Sequence, residues 1–271
     1  MRVASFDFTE SEVLAELYAQ GLERAGIPVV RQHAVGAREE VEPALEQGVV
    51  DLVPEYAGTA LTFLSPGPSP ATSDPETTYQ RLRVAFAARG LTTLARAPAQ
   101  DQNAVAVTRD LAGRLNLRLV SDLRPVASGL TFGGPPECPV RRACLKGLTE
   151  TYGLTFRAFR PLDAAGPLTI AALQGGDADV VVLFTTTPQV DTVGFVLLAD
   201  DRGLQPAENV VPVVRNAVVE RYGDRLSNAL DPISARLTSE ELRRLNTAVE
   251  VDRRSPAVVV RDWLRQHQTA A

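Results

Sequence analysis

Residues Pro43–Thr59, PALEQGVVDLVPEYAGT, set the pattern for the whole chain. A helical stretch from about Arg38 to Gln47 leads into a mostly apolar strand, Val49–Tyr56, which ends on the polar and aromatic group Glu55-Tyr56-Ala57-Gly58-Thr59. The same unit recurs on either side. Upstream, Val3–Phe8 reads as a strand, and Thr9 reads as an N-cap with Glu12 three positions on, a capping box. Val13, Leu14, Leu17 and Leu22 then follow at helical spacing, and Pro28–Val30 reads as a second strand. Downstream, Ser65–Pro75 (SPGPSPATSDP) is dense in turn formers and reads as a loop. A helix is expected over Glu76–Ala88, with strands near Thr92–Ala95 and Asn103–Thr108.

The middle of the chain repeats this alternation. A short strand with a Gly/Pro turn (LTFGGPPE, Leu130–Glu137) precedes a helix expected over Val140–Tyr152, then a strand in Thr155–Pro161 and a helix over Pro167–Gln174. Asp179–Thr187 (DVVVLFTTT) is the most apolar strand, followed by Phe195–Asp201 and Asn209–Arg215. The last stretch is mainly helical. Thr238 and Glu241 form a second capping box, and Ser255-Pro256 opens a final helix containing Trp263. Alternating strands and helices imply mainly parallel sheets covered by helices, so the expected fold class is α/β with two lobes.

Composition narrows the function. At 271 residues the chain exceeds the usual single domain of roughly 100–200. Its 28 basic and 33 acidic residues give a net charge of −5, with Lys146 the single lysine and no Lys/Arg run, so there is no electrostatic footprint for nucleic acid. No stretch approaches the ~20 consecutive apolar residues of a membrane span. GxSxG, HExxH, GxxxxGK[ST] and a strand-following GxGxxG are all absent from the sequence, and His33 and His267 are too few for a His-rich metal site. These absences leave an enzyme unsupported; no catalysed reaction and no cofactor are expected. The sequence MRVASFDF enters a strand without a secretory signal, which fits either a cytoplasmic protein or a mature domain numbered after its leader. Cys138 and Cys144 are six apart and lack zinc-site spacing. They read either as a local disulfide, which would argue for an oxidising compartment, or as two free thiols.

What remains is a set of polar and aromatic residues at the C-terminal ends of strands, where open α/β sheets bind ligands. These are Phe8-Thr9-Glu10-Ser11, Pro54–Thr59, Gly133–Glu137 and Phe184-Thr185-Thr186-Thr187. Helix N-termini there suit an anion and aromatic faces suit a cation.

Seven strings, FTESEVLAELYAQ, PALEQGVVDLVPEYAGT, SDL, FGGPPE, YGLTF, LQGGDADVVVLFTTTPQV and LLADDRGLQPAENVVPVV, stand in an order that resembles the substrate-binding proteins of ABC importers for glycine betaine, choline and related quaternary amines. The resemblance implies a type II periplasmic-binding-protein fold, with lobe one at 1–104 plus 211–271 and lobe two at 105–210. The hinge is expected near 103–105 and 209–212, with a ligand cleft between the lobes. It also implies an aromatic box around the ammonium and a carboxylate-binding Arg. By position, Tyr56 and Thr59 match the family motif, Phe184 fills a box position, and Arg141 stands where the carboxylate ligand is expected. Asp101 matches an acidic position near the box, and Thr9 and Thr185 close their strands as further expected contacts. Asn103 and Ala207 stand where box tyrosines are common, each lost face removing about 0.5–2 kcal/mol of cation attraction. Asp7 stands where a basic residue can occur.

The implied function is that of an extracytoplasmic receptor, periplasmic or lipid-anchored at the cell surface. It would be monomeric, would capture a zwitterionic or cationic osmolyte by lobe closure, and would hand it to membrane permease subunits. The alternatives are a receptor for another methylated amine such as ergothioneine, a receptor domain fused to its permease, a ligand-sensing regulatory domain, or an enzyme on the same scaffold.

Overall fold

A computed structural model describes residues 1–267. In chain order the elements are β1 (Arg2–Ala4), α1 (Thr9–Arg24), β2 (Val30–Gln32), α2 (Arg38–Glu46), β3 (Leu52–Tyr56), α3 (Ala57–Leu64), α4 (Pro75–Ala87) and β4 (Leu91–Thr93). Next come β5 (Asn103–Val107), α5 (Arg109–Leu115), β6 (Thr131–Gly134), α6 (Leu145–Tyr152), β7 (Ala158–Pro161), α7 (Pro167–Gly175), β8 (Val180–Phe184), α8 (Gln189–Thr192) and β9 (Val196–Leu198). The chain closes with β10 (Val210–Arg215), α9 (Asn216–Tyr222), α10 (Asp224–Arg236), α11 (Ser239–Glu250) and α12 (Pro256–Gln266).

These elements form two compact units, residues 1–100 with 207–271 and residues 101–206. Each holds one five-stranded sheet, ordered β2-β1-β3-β10-β4 in the first unit and β7-β6-β8-β5-β9 in the second. In the first sheet β10 runs antiparallel to both its neighbours, β3 and β4, while β1 pairs parallel with β2 and β3. In the second, β5 is antiparallel to β8 and β9, and β6 is parallel to β7 and β8. Each sheet is thus mainly parallel with one reversed strand, and that strand is the first after the chain crosses from the other unit. The crossings lie at 100/101 and 206/207, against 104/105 and 210/211 in the sequence reading. The placement follows from hydrogen bonding: Asn103 pairs with Phe184 and Val210 with Tyr56, so β5 and β10 each lie wholly inside one sheet.

Several local expectations shift for identifiable reasons. The first strand stops at Ala4, and Thr9 is the first helical residue of α1 rather than its cap. Phe8 occupies the N-cap position without a side-chain hydrogen bond. The chain between them is held instead by serine side chains: Ser11 Oγ accepts from Phe6 N at 2.9 Å and Ser5 Oγ from Ala34 N at 2.8 Å. The helix expected from Val140 begins only at Leu145, because a 3₁₀ turn at Cys138–Val140 and the Cys138–Cys144 bridge occupy the approach. Gly147 is required there, since a Cβ on it would fall 1.8 Å from the Arg142 carbonyl oxygen. Thr238 caps α11 by accepting from Glu241 N at 3.2 Å, but the Glu241 carboxylate accepts from Trp263 Nε1 and Arg244 Nη1 instead of returning to the cap. Elsewhere local chemistry suffices, as where Asp74 accepts from Thr77 N at 2.7 Å ahead of Pro75 and starts α4.

The core of the first unit is built on α1, whose Val13, Leu14, Leu17, Tyr18 and Leu22 are wholly buried against sheet residues such as Val53, Val211 and Val213. The buried Tyr18 hydroxyl finds Ser234 Oγ at 3.0 Å, so α1 and α10 are joined by a polar bond as well as by packing. In the second unit the period-2 rule is visible along β8. Val180 and Val182 join one apolar cluster with Phe132 and Leu148, while Val181 and Leu183 join another with Leu173 and Phe195. Truncating one of these buried leucines to Ala costs about 2–5 kcal/mol. Both sheets are therefore rigid platforms whose strand ends carry the polar residues.

Candidate functional site

In the first unit the chain leaves β1 through Ser5–Phe8, and the C-terminal end of β3 brings Tyr56 beside it. The Phe6 and Phe8 rings stack with centroids 5.9 Å apart and planes within 3°, and Phe8 meets Tyr56 at 6.1 Å with a 31° tilt. Phe6 and Tyr56 are buried, whereas Phe8 is 43% exposed. The Tyr56 hydroxyl donates to Glu10 Oε1 at 2.7 Å, and Asn246 Nδ2 donates to Glu10 Oε2 at 2.6 Å. Beneath the rings, the Arg38 guanidinium lies 4.9 Å from the Phe6 centroid and grips Glu55 in two bonds of 2.9 and 2.7 Å. Glu55 also accepts from Tyr56 N at 3.0 Å, so the same carboxylate anchors the guanidinium and the backbone of the aromatic residue.

Two further carboxyls belong to this end. Glu208 accepts from Thr59 N at 3.0 Å and from Thr59 Oγ1 at 2.7 Å. Burial pushes Glu208 up to about 7, even though the Thr59 bonds and Arg38 pull the other way. Burial, followed by the neighbouring Glu55, drives the Glu42 carboxyl well above the ordinary range and so favours its neutral form. Thr9, at the first position of α1, is half-buried beside Glu10. Tyr56 and Thr59 therefore belong to one network, which Thr9 adjoins through its neighbour Glu10. Asp7 is exposed. Ala207 is fully buried, its N–H held by the Thr72 carbonyl at 2.8 Å, so it offers no surface in place of a tyrosine.

In the second unit Asp101, Asn103, Phe184 and Thr185 come together at one sheet end. Asn103 and Phe184 are register partners in β5 and β8, and Asp101 Oδ1 accepts from Thr186 Oγ1 at 2.7 Å. Thr185 Oγ1 accepts from Gln102 N at 3.0 Å, and Phe184 N donates to Thr187 Oγ1 at 3.0 Å. Asn103 Nδ2 donates to the Ala143 carbonyl at 3.1 Å, and Gln205 Nε2 donates to the same oxygen at 3.2 Å. Ala143 lies inside the loop closed by Cys138–Cys144, so these amides tie that loop to β5 through Asn103 and to the segment ahead of β10 through Gln205. Arg141 stands out from the loop with its side chain 67% exposed and forms an ion pair with Glu137 at 3.4 Å. An exposed pair of that kind contributes about 0–1 kcal/mol, which leaves the guanidinium chemically available.

Among the described residues no group of His, Cys, Asp and Glu is arranged to hold a metal ion, and no helix is long and apolar enough to cross a membrane. The chemistry on offer is recognition: aromatic faces backed by carboxylates in one unit, and in the other an exposed guanidinium on a loop whose Ala143 carbonyl is held by two side-chain amides. Residues 1–266 match the profile of the substrate-binding domain of ABC-type glycine betaine transport systems. The chain belongs to that family. It is 28% identical to the glycine betaine-binding protein YehZ of Escherichia coli over 98% of this chain and 90% of that one. It is 26% identical to the ergothioneine transport permease/ergothioneine binding protein EgtU of Helicobacter pylori, covering 97% of this chain but 47% of the relative. Among solved structures, a glycine betaine/carnitine/choline ABC transporter protein superposes with a TM-score of 0.90 at 22% identity, each chain covered to 98%. Apo YehZ superposes with a TM-score of 0.81 at 26% identity, with the same coverage of both chains. The type II periplasmic-binding-protein fold and a role in binding solute for transport are those of the family.

Within this family member the sequence reading overlooked Phe8, Glu10, Arg38, Glu55, Glu208, Gln205 and Asn246 as parts of the two strand-end networks. Phe8, Glu10 and Glu55 lay in segments already marked as strand ends, but an exposed or paired side chain cannot be told from a packed or solvated one by local pattern. Asn246 meets Glu10 across 236 positions and Glu208 meets Thr59 across 149, distances over which a single sequence carries no signal.

Proposed function

We propose that this chain is the extracytoplasmic receptor of an ABC importer, capturing a small solute with a quaternary ammonium, of the glycine betaine, choline or carnitine kind, for delivery to a membrane permease. The observation that carries the reading is the Phe8–Tyr56 pair, one ring exposed and the other hydrogen-bonded to a carboxylate, because a desolvated ammonium is attracted to an aromatic face by about 0.5–2 kcal/mol per ring. Arg141 is the proposed partner of the solute's carboxylate, with Asn103, Asp101, Phe184, Thr185, Thr9 and Thr59 as further contacts. A more heavily hydrogen-bonding ligand such as ergothioneine is the weaker reading, since the Asn103 amide and the Asp101 carboxylate each already have an internal partner. The Cys138–Cys144 bridge supports a location outside the cytoplasm, where disulfides persist.

The test is a calorimetric and thermal-shift series with glycine betaine, choline, carnitine, ergothioneine and proline. Ligand raises the apparent melting temperature by mass action, and glycine betaine, choline or carnitine is expected to do so at stoichiometric occupancy without being consumed. Phe8→Ala is the sharper variant than Tyr56→Ala, because Phe8 is exposed and its loss leaves the buried Tyr56–Glu10 bond intact. We expect Phe8→Ala to weaken binding by roughly two- to thirtyfold with an unchanged melting temperature. Unchanged affinity would remove this strand end from the ligand site, and turnover of any compound would favour the enzyme reading.

A further inference from the structure

Glu10 sits in the first turn of a sixteen-residue helix, is 6% exposed, and receives hydrogen bonds from β3 and α11 among its contacts. β3 supplies the Tyr56 hydroxyl and α11 supplies the Asn246 amide, one donor to each carboxylate oxygen at 2.7 and 2.6 Å. Each carboxylate oxygen thus accepts a hydrogen bond, and a helix N-terminus favours negative charge at that position. Burying a carboxylate is costly, so a carboxylate kept here behind an aromatic ring is an expensive way to fill space. Its consequence for the ring is specific. A phenol donating to a carboxylate is fixed in orientation and carries more electron density than a free phenol, which deepens the negative potential over the ring face where a cation is held.

We infer that Glu10 is a positioning residue that acts through Tyr56 to make the aromatic cluster select a positively charged ligand over an uncharged one of the same shape. The inference rests on the functional reading above and deepens it: that reading says rings hold an ammonium, and this one says which side chain makes the rings prefer charge. Glu10 is not assigned contact with the solute.

The probes are choline and its uncharged carbon analogue 3,3-dimethylbutan-1-ol, which share shape and hydroxyl and differ in the central atom. Their affinities are measured by calorimetry and by competition, for the native chain, Glu10→Gln and Tyr56→Phe. Glutamine retains an oxygen that accepts from Tyr56 but lacks the charge. Glu10→Gln is expected to lower choline affinity roughly three- to thirtyfold while changing that of the alcohol less than about twofold, so that the preference for charge collapses. Tyr56→Phe keeps the ring and breaks its bond to Glu10, and it is expected to move the preference in the same direction. It also serves as the readout if Glu10→Gln does not fold. An equal loss for both probes would mean that Glu10 only supports packing, and an unchanged preference in either folded variant would likewise overturn the inference. If Phe8→Ala weakens choline binding while both of these variants keep the native preference, the functional reading stands and this inference alone falls. If the native chain binds neither choline, glycine betaine nor carnitine, both fall together.

Discussion

The strand ends of the two units present similar residue types but are held by different means. In the first unit the residues are fixed by buried side-chain bonds between segments far apart in sequence: Arg38 with Glu55, Glu10 with Tyr56 and Asn246, Thr59 with Glu208. In the second unit, register pairing sets Asn103 opposite Phe184, while a covalent bridge six residues long closes the Arg141 loop and two amides fasten it through Ala143. The first arrangement stores electrostatic energy in a water-poor setting and is sensitive to charge. The second is set by backbone and covalent geometry and leaves the Arg141 guanidinium facing solvent.

Glu55→Ala tests this contrast with the largest expected effect. Glu55 is wholly buried and satisfies both Arg38 and the Tyr56 N–H, so its removal leaves a guanidinium without its counter-charge in a mostly buried place. Breaking such a pair costs about 3–5 kcal/mol. Denaturant unfolding should show that loss, and Arg38→Met with Glu55→Met should recover much of it, because removing both charges also removes the desolvation penalty. A loss under about 1 kcal/mol would mean that the network is no more than surface pairing.

The second test uses pH. Glu208 titrates at about 7 in the folded chain against 4.5 ordinarily, with burial the leading cause. The folded state therefore binds more protons than the unfolded state between these values. Stability from this group is fully present below about 4.5 and falls as pH rises toward 7, by on the order of 3 kcal/mol for a shift of this size. Glu42, also raised, adds to the same decline from about pH 4.5 and carries it on to higher pH. Glu208→Gln should make the decline between pH 4.5 and 7 shallower in denaturant melts, with the part due to Glu42 remaining, while still accepting from Thr59. An identical pH profile in the variant would dissociate Glu208 from it.

How much of this contrast was legible beforehand follows from the same physics. The α/β class came from the 2 and 3.6 periodicities, and the strand-end segments came from where apolar runs stop, both of which are local. Tyr56 and Phe184 stood out because each terminates such a run, while their place in the proposed site came from the family resemblance. The capping box at Thr9 failed because its sequence requirement is met, yet Ser5 and Ser11 hold the turn and shift the cap to Phe8. The helix at Val140 failed because the cysteines, not helix propensity, decide the path up to Leu145. Glu10, Glu55 and Glu208 look like ordinary solvated acids in the sequence. Only the fold, by bringing α1, β3, α3 and α11 to one end of a sheet, removes them from water and gives each a partner.

The smallest expected effect belongs to the second unit. Replacing Cys138 and Cys144 by Ser opens a short loop, and closing such a loop stabilises by roughly 2 kcal/mol on chain-entropy grounds. Because the Asn103 and Gln205 amides still reach the Ala143 carbonyl, the loop is expected to loosen without detaching. Amide hydrogen exchange should then rise across residues 138–148 while α1 and β3 keep their protection, since no bond in the first unit's network depends on the bridge. Adding Asn103→Ala to the double serine variant removes one of the two tethers, and the combined loss should exceed the sum of the separate losses if bridge and amide restrain the same loop. Strict additivity would show that the two act on different motions. Protection lost equally in α1 would erase the distinction between a unit held by buried charge and a unit held by covalent closure.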